Sequence, residues 1–206
     1  MMMAGLREKK KEQTRRRIAE VALRMFAKRG YEAVTVNEIA EAAGVAKVTL
    51  FTYFPTKESL VLDVVKEDMA KIVNERRPGQ APLEALREHY RAFAAEDTEG
   101  VDVEGLLTRA WVISASPALM AGLHQTRAGQ RYELAAALAS ARGVPDGSCE
   151  LRDQLMAAQI TAVLTTVQEG FFQRLVEGTP IAEAGGRLAD DVELAFDLLE
   201  HGFTGQ

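Results

Sequence analysis

The 206-residue chain is 47% hydrophobic, which is enough to bury a core and excludes a disordered protein. Its net charge of −5 is unevenly spread, because residues 1–60 carry a net charge of +5 and the remainder −10. The single cysteine, Cys149, excludes an internal disulfide. No stretch approaches the roughly 20 apolar residues that span a bilayer, so we predict a cytoplasmic protein with no signal peptide and no membrane partner.

Helical patterns recur along the chain, whereas alternation of apolar and polar residues is nearly absent, so the predicted fold class is all-α. Residues 1–13 are predicted to form a flexible basic arm. A first helix is predicted over 14–29, with Gly30 as its stop. The next helix begins after Thr35, because Thr35 and Glu38 have the spacing of a capping box.

Two very short helices follow one another in the next stretch. The second helix ends at Ala43, because Gly44 suits the left-handed residue that closes a helix. The third is predicted from Lys47 to Phe54, since Pro55 disfavours helical geometry in the residue before it. Helices of about eight residues are marginal in isolation, so neighbouring helices must hold them.

The clearest break in the chain is "RRPGQAP", residues 76–82. We therefore predict a helix-turn-helix domain over 14–60, a connecting helix over 61–76, and a larger helical domain over 77–206. The connecting helix is the continuation of a fourth helix, which Thr56 caps and which runs to about Glu75. The apolar pattern of the connecting helix includes Val64 and Val65. In the larger domain we predict helices marked by Leu83 to Phe93 and over Gly105–Ser114, Pro117–Ala141, Glu150–Glu177 and Arg187–His201. The last of these helices is predicted to begin after a break at the glycine pair 185–186.

The outward face of the third helix indicates a DNA partner. Leu50 and Phe54 point inward, which leaves apolar and polar side chains facing out, at a cost in water unless something covers them. In a major groove a lysine can donate to guanine and an apolar group can touch a thymine methyl, and hydroxyl and ammonium groups suit phosphates. The predicted contacts to double-stranded DNA are Thr35, Lys47, Val48, Thr49, Phe51, Thr52, Tyr53 and Lys57. The basic arm either adds nonspecific attraction to DNA or is a solvated terminus.

From about Arg15 to Leu62 the chain resembles the DNA-binding domain of the TetR (tetracycline repressor-like, TetR/AcrR) family, in "ALRMFAKRGYEAVTVNEIAEAAGVAKVTLFTYFPTKESL". The resemblance implies a homodimer built on the last two helices and a C-terminal ligand-binding and dimerisation domain over 77–206. It also implies a transcriptional repressor that a small molecule releases from a palindromic operator. The sequence departs from the family at Ala46, Val48, Phe51 and Thr52, where a capping serine, glycine, tyrosine and an aromatic or histidine are frequent.

Within the C-terminal domain, several side chains suit an apolar or aromatic effector, although each is also explained as plain core. The predicted ligand-binding residues are His89, Phe93, Trp111, Met120, His124, Met156 and Phe172. The predicted dimer interface consists of Val163, Val167, Phe171, Val192, Phe196 and Leu199. Asp197 and His201 have metal-ligand spacing without an evident third ligand, so we predict no metal and no cofactor.

Two other functions compete with a ligand-responsive regulator. An α-helical enzyme is disfavoured, because the three histidines are scattered and no nucleophile motif or Gly-rich phosphate loop is present. A constitutive DNA-binding protein without a ligand remains open at this stage.

Overall fold

The computed structural model describes residues 2–63, 68–144 and 148–202, with side chains from Lys9 onward. Within these ranges the regular structure is ten helices and no strand, which confirms the all-α prediction. The helices are α1 Met2–Arg29, α2 Val36–Ala42, α3 Lys47–Tyr53, α4 Ser59–Leu62, α5 Met69–Asn74, α6 Pro82–Ala94, α7 Val103–Ser114, α8 Pro117–Ala141, α9 Leu151–Val176 and α10 Ile181–His201. None of them is by itself long and apolar enough to cross a membrane, and α7 and α8 pass that test only as a pair bent by 99°.

The chain forms two compact units. The first unit contains residues 1–66 and 104–124, and the second contains residues 67–103 and 125–206. This division differs from the predicted boundary at residue 77, because α7 and the first two turns of α8 pack with the N-terminal helices.

The first unit is built around one apolar core, which includes Leu50, predicted to point inward. Residues from α1 to α4 and from the α7–α8 region share one core, and its fully buried members include Ile18, Ala22, Phe26, Ile39, Leu50, Leu60, Val61 and Leu119. Burial of such side chains removes apolar surface from water, which is the main favourable term in folding.

Two polar contacts tie the α7–α8 region to the helix-turn-helix. The buried Ser116 hydroxyl accepts a hydrogen bond from the Leu119 amide and donates one of 2.6 Å to the Glu32 carboxylate. The Arg109 guanidinium donates to the Val61 carbonyl at 3.1 Å. Ser116 therefore caps α8 and positions it against the loop after α1.

The first helix differs from its prediction at its N-terminal end. It begins at Met2, so residues 2–13 are helical and do not form the predicted flexible arm. The segment "REKKKEQ" consists of residues with high helix propensity, which accounts for the longer helix. The basic side chains of this segment are thus displayed on a helix.

The predicted fourth helix is divided into α4 and α5 in the described residues. Thr56 accepts a hydrogen bond from the Ser59 amide at 3.2 Å, as a cap should. Asp68 starts a new helix, because its carboxylate accepts from the Lys71 amide at 2.9 Å. Val64 and Val65 of the predicted apolar pattern lie outside the described residues.

The second unit has its own core, shared by α5, α6, the later turns of α8, α9 and α10. Its most buried members include Val73, Leu86, Leu134, Leu138, Ala157, Ile160, Val192 and Phe196. On its surface, Arg87 of α6 bonds Glu193, Asp197 and Glu200 of α10 at 2.6, 2.7 and 3.1 Å.

The last helix begins at Ile181, six residues before the predicted start at Arg187. The glycine pair at 185–186 lies inside the helix instead of ending the preceding turn. Gly185 is buried, and a Cβ atom added to it would lie 3.3 Å from Cγ2 of Thr98. The glycine is therefore explained by close packing, which a pattern of turn residues does not reveal.

Gly186→Ala is expected to raise the free energy of unfolding by about 1 kcal/mol, the usual helix-interior difference between glycine and alanine. Nothing lies within 4 Å of its added Cβ. Gly185→Ala should gain clearly less, because its Cβ would crowd Thr98. Urea unfolding of the two variants tests this, and equal gains would contradict the packing role of Gly185.

Candidate DNA-binding site

The start of α2 is fixed by the predicted capping box. The Thr35 hydroxyl accepts from the Glu38 amide at 3.3 Å, and the Glu38 carboxylate accepts from the Thr35 amide at 2.8 Å and hydroxyl at 2.7 Å. These bonds, together with Arg29 at 2.7 Å, lower the pKa of Glu38 to about 2. The hydroxyl proton of Thr35 is thus committed to the cap, and the phosphate contact predicted for it remains a prediction.

The turn between α2 and α3 depends on Gly44. This residue has a φ of +63°, which a side chain with a Cβ rarely adopts. The Gly44 amide donates to the Glu41 carbonyl, and the Val45 amide donates to the Ala40 carbonyl, each at 3.0 Å. The end of α2 is therefore closed by a Schellman motif.

Leu50 and Phe54 point into the protein, as predicted. Leu50 and Phe54 are fully buried in the core of the first unit. On the opposite side we define the α3 outer face as Lys47, Val48, Phe51 and Thr52, all of which are exposed. Val48 has 78% of its surface exposed and Phe51 has 39%.

Within the α3 outer face the polar groups are few. The Thr52 hydroxyl donates to the Val48 carbonyl at 3.0 Å, one turn back in the helix. The Lys47 ammonium nitrogen lies 6.0 Å from the centroid of the Phe51 ring. Ala46, which precedes the helix, has extended backbone geometry but offers no side-chain cap.

Thr49 and Tyr53 flank the outer face and are half-buried. Tyr53 packs its ring against the core of the first unit. In the part of the chain that the structure describes, neither hydroxyl makes a hydrogen bond. Both groups therefore remain available to a ligand such as a phosphate oxygen.

Lys57 is held by the protein itself. Its ammonium donates to the Tyr31 carbonyl at 2.5 Å and lies 4.1 Å from the centroid of the Tyr31 ring and 5.6 Å from that of Phe26. Burial lowers the pKa of Lys57, against the raising effect of Glu32 and Glu58. Lys57 is thus a structural cation of the first unit, and its predicted phosphate contact would use the donors that remain.

The basic residues of α1 divide into two groups. Arg15 pairs with Asp63 at 3.0 Å and lies 5.3 Å from the centroid of the Phe54 ring, and Arg16 pairs with Glu20 at 2.9 Å. Lys9, Lys10, Lys11 and Arg17 are exposed. Sequence reasoning missed the Arg15–Asp63 pair, because no local signal links residues 48 positions apart.

Comparison with known proteins agrees with this geometry. Residues 18–64, from within α1 to just after α4, match the family described as bacterial regulatory proteins, tetR family. The chain is 29% identical over 177 residues to the transcriptional regulator TcmR of Streptomyces glaucescens, covering 82% of this chain and 78% of TcmR. It is 27% identical over 199 residues to the repressor KstR of Rhodococcus jostii, covering 91% of this chain and 83% of KstR.

Residues 18–64 thus match the DNA-binding domain of the TetR family, and along most of its length the chain resembles transcriptional regulators. Solved structures share the fold: Salmonella enterica GusR superposes with a TM-score of 0.53 at 20% identity, covering 93% of this chain and 96% of GusR. SmeT in complex with triclosan has a TM-score of 0.54 at 19% identity, covering 91% of this chain and 90% of SmeT. The family and these curated relatives are regulators and not enzymes.

The predicted ligand-binding residues are distributed over both units. Trp111, Met120 and His124 belong to the first unit, and the other four to the second. Four of the seven are exposed, namely His89, Phe93, Trp111 and His124. Met120 packs on the core of the first unit and Met156 on that of the second, while Phe172 is half-buried with its ring edge-on to Phe171.

Two grooves occur within the second unit. One of about 210 Å³ lies between α8 and α9 and is lined by Arg131, Tyr132, Ala135, Leu151, Gln154, Leu155 and Ala158. The other, of about 540 Å³, is open and lined by α5 and α8, with Asp68, Lys71, Glu75 and Glu133 at its rim. None of the seven predicted ligand residues lines either groove, so their role remains a prediction.

The predicted dimer interface needs a correction at two positions. Val192 and Phe196 are 2% and 0% exposed, because they fill the core of the second unit and leave no surface for a partner. The other four predicted residues, Val163, Val167, Phe171 and Leu199, are half-buried. Exposed apolar side chains on the same two helices are Leu151, Leu155, Val176 and Leu194.

One cluster of potential metal ligands occurs in the described residues. Asp197, Glu200 and His201 bring ligand atoms within 4.8 Å of one another at the end of α10. Glu200 supplies the third potential ligand that was not evident from the sequence. Arg87 already bonds Asp197 and Glu200, so their negative charge is compensated, and we assign no metal to this cluster.

Glu38→Gln should destabilise the protein at pH 7 by removing the charge that Arg29 and the capping box stabilise. Because the pKa of Glu38 is about 2 in the folded protein and ordinarily 4.5, this stabilisation is present above 4.5 and disappears as the pH falls towards 2. The difference in unfolding free energy between wild type and variant should therefore shrink with acidification. Denaturant titrations at pH 7, 4.5 and 3 measure it.

Glu41→Gln is the matched control for this prediction. Glu41 is exposed on the same helix, and its carboxylate makes no hydrogen bond with any described residue. This variant should follow the wild type at every pH. A Glu38→Gln difference that is constant with pH would show that the cap does not depend on the charge.

Proposed function

We propose that this chain is a ligand-responsive repressor that binds a palindromic DNA operator as a homodimer. A small apolar or aromatic effector releases it from that operator. The proposal refines the family's role as transcriptional regulators in three respects: the sign of regulation, the symmetry of the DNA site and the presence of an effector.

The observation that carries the DNA-binding part is the α3 outer face. Val48 is 78% exposed and stands beside Lys47 and the exposed ring of Phe51, on a helix whose other side is anchored in the core. Exposed apolar side chains on a short, rigidly held helix favour a partner that covers them. A second helix of a helix-turn-helix that enters the major groove provides that cover.

Homodimerisation accounts for a palindromic operator. Members of the family act as dimers, and two-fold symmetric proteins read half-sites related by the same symmetry. Two α3 helices in successive major grooves lie about 34–36 Å apart. The exposed apolar side chains of α9 and α10, including Val176 at 72% and Leu194 at 59%, supply surface for such an interface.

Repression and effector binding are supported by relatives. KstR, a repressor, aligns with 91% of this chain. SmeT, which has the same fold, is described as the repressor of a Stenotrophomonas maltophilia multidrug efflux pump and has been solved with triclosan, a small molecule. The fold therefore accommodates both properties, and we transfer them to this chain as part of the proposal.

A constitutive regulator without an effector is the second candidate. It is favoured by the exposure of His89, Phe93, Trp111 and His124, which leaves these predicted ligand residues outside the cores of their units. Thermal-shift screening of apolar and aromatic compounds, followed by release of the protein from its operator, separates the two candidates. Compounds that stabilise the protein and also release DNA favour a ligand-responsive repressor.

The proposal is tested first by selecting random-sequence duplexes with the purified protein. We expect enrichment of an inverted repeat whose half-site centres are separated by about one helical turn. Binding to the enriched site should weaken steeply with salt, because phosphate contacts release counterions. Equal affinity for random and enriched duplexes would contradict the proposal.

Tyr53→Phe should weaken operator binding by roughly 10- to 100-fold, the usual value of a hydrogen bond to a charged group. The thermal stability of the free protein should be unchanged, because the hydroxyl of Tyr53 has no hydrogen bond among the described residues. Tyr132→Phe in the second unit is the control, since Tyr132 is exposed and lies outside the proposed DNA-binding site, and it should leave affinity unaltered. Equal affinities for both variants would remove Tyr53 from the interface.

A further inference from the structure

We propose that the operator half-site is recognised mainly through thymine methyl groups, which pack against Val48, Phe51 and Thr52 of the α3 outer face. The inference rests on the proposed DNA-binding function and specifies which chemical group on the bases the site reads. It also assigns Val48 as the residue that contributes most to specificity.

The three side chains form one continuous apolar surface. Positions 48 and 51, and 48 and 52, are three and four residues apart, so their side chains are neighbours on one side of the helix. Val48 and Phe51 are 78% and 39% exposed, and Thr52 is exposed as well. Because Leu50 and Phe54 anchor the opposite side, this surface keeps its orientation when the protein binds.

The α3 helix lacks most of the groups that read bases by hydrogen bonds. Arginine, asparagine, glutamine and acidic side chains make the usual pairings with guanine, adenine and cytosine. The helix sequence, "KVTLFTY", contains none of them. The Thr52 hydroxyl proton is donated to the Val48 carbonyl, which leaves the methyl group of Thr52 as its main contact group.

Lys47 is the exception among the side chains of α3. Its ammonium is the only charged group on α3, and it lies 6.0 Å from the centroid of the Phe51 ring. A lysine suits the acceptors of guanine or a phosphate. We therefore expect one contact of this kind per half-site, at the edge of the methyl-reading surface.

The C5-methyl of thymine is the apolar group that the bases display in the major groove. Covering one methyl group changes affinity by about fourfold, from the usual free energy of burying one carbon. Two or three contacted methyl groups per half-site thus give a discrimination comparable to that of a good hydrogen-bonded pair. An apolar face can read sequence at this level without bidentate contacts.

The test uses the operator selected with the full-length protein. Each thymine of one half-site is replaced by deoxyuridine, which keeps the pairing with adenine and removes only the methyl group. At contacted positions we expect about fourfold weaker binding per methyl lost. Thymines in the flanking DNA, replaced in the same way, should have no effect.

Loss of a methyl group also alters the duplex itself, so the deciding quantity is the thymine-to-uracil affinity ratio in protein variants. Val48→Ala should bring this ratio close to one at the position that Val48 touches. Lys47→Ala should weaken both duplexes by the same factor and leave the ratio unchanged. Lys47 and Val48 are both exposed, so neither variant should lower the melting temperature, which circular dichroism verifies.

The outcomes separate this inference from the proposed function. An enriched operator whose affinity is indifferent to uracil overturns the inference and leaves the DNA-binding function intact. A ratio that persists in Val48→Ala also overturns the role of Val48. Failure to enrich any operator contradicts the proposed function, and this inference with it.

Discussion

The burial of Leu50 and Phe54 determines what α3 is able to do. The helix has seven residues, and a helix of that length cannot repay its nucleation cost in water. These side chains are 0% and 1% exposed, and burying each is worth about 1.5–3 kcal/mol before the cost in conformational entropy. Tertiary packing therefore holds the helix through its inner face, and Val48 on the outer face is left 78% exposed. Val48 and Phe51 are consequently free to be selected for a partner.

Local chemistry made much of the DNA-binding site predictable. Thr35, Glu38 and Gly44 act through bonds that span three to five residues, so their spacing in the sequence contains the full signal. Contacts between distant residues have no such signal. Arg15 meets Asp63 and Lys57 meets the Tyr31 carbonyl only because the fold brings them together. For that reason sequence reasoning assigned Lys57 to DNA and did not identify the pair that Arg15 forms.

The errors in the second unit share a physical origin. An apolar face on α10 was correctly recognised, but a stripe in the sequence does not distinguish the protein's own core from a partner's surface. Val192 and Phe196 belong to the core, and Leu194 is the side chain left outside. The glycine pair was read as a break for a similar reason: the reduced bulk of Gly185 admits Thr98, and this neighbour is 87 positions away in the sequence.

Which basic side chains of the first unit are already paired within the protein affects how the unit would recognise DNA. Electrostatic affinity for DNA grows with the number of phosphates neutralised, irrespective of sequence. Arg15 and Lys57 already have partners within the unit, whereas Lys47 on α3 is exposed and its ammonium faces only the Phe51 ring. Under the proposed DNA-binding function, a helix with one charged side chain would draw its specificity largely from shape and apolar contact. Because folding leaves Val48 uncovered and α3 without a side-chain cap, binding would supply what the isolated protein lacks.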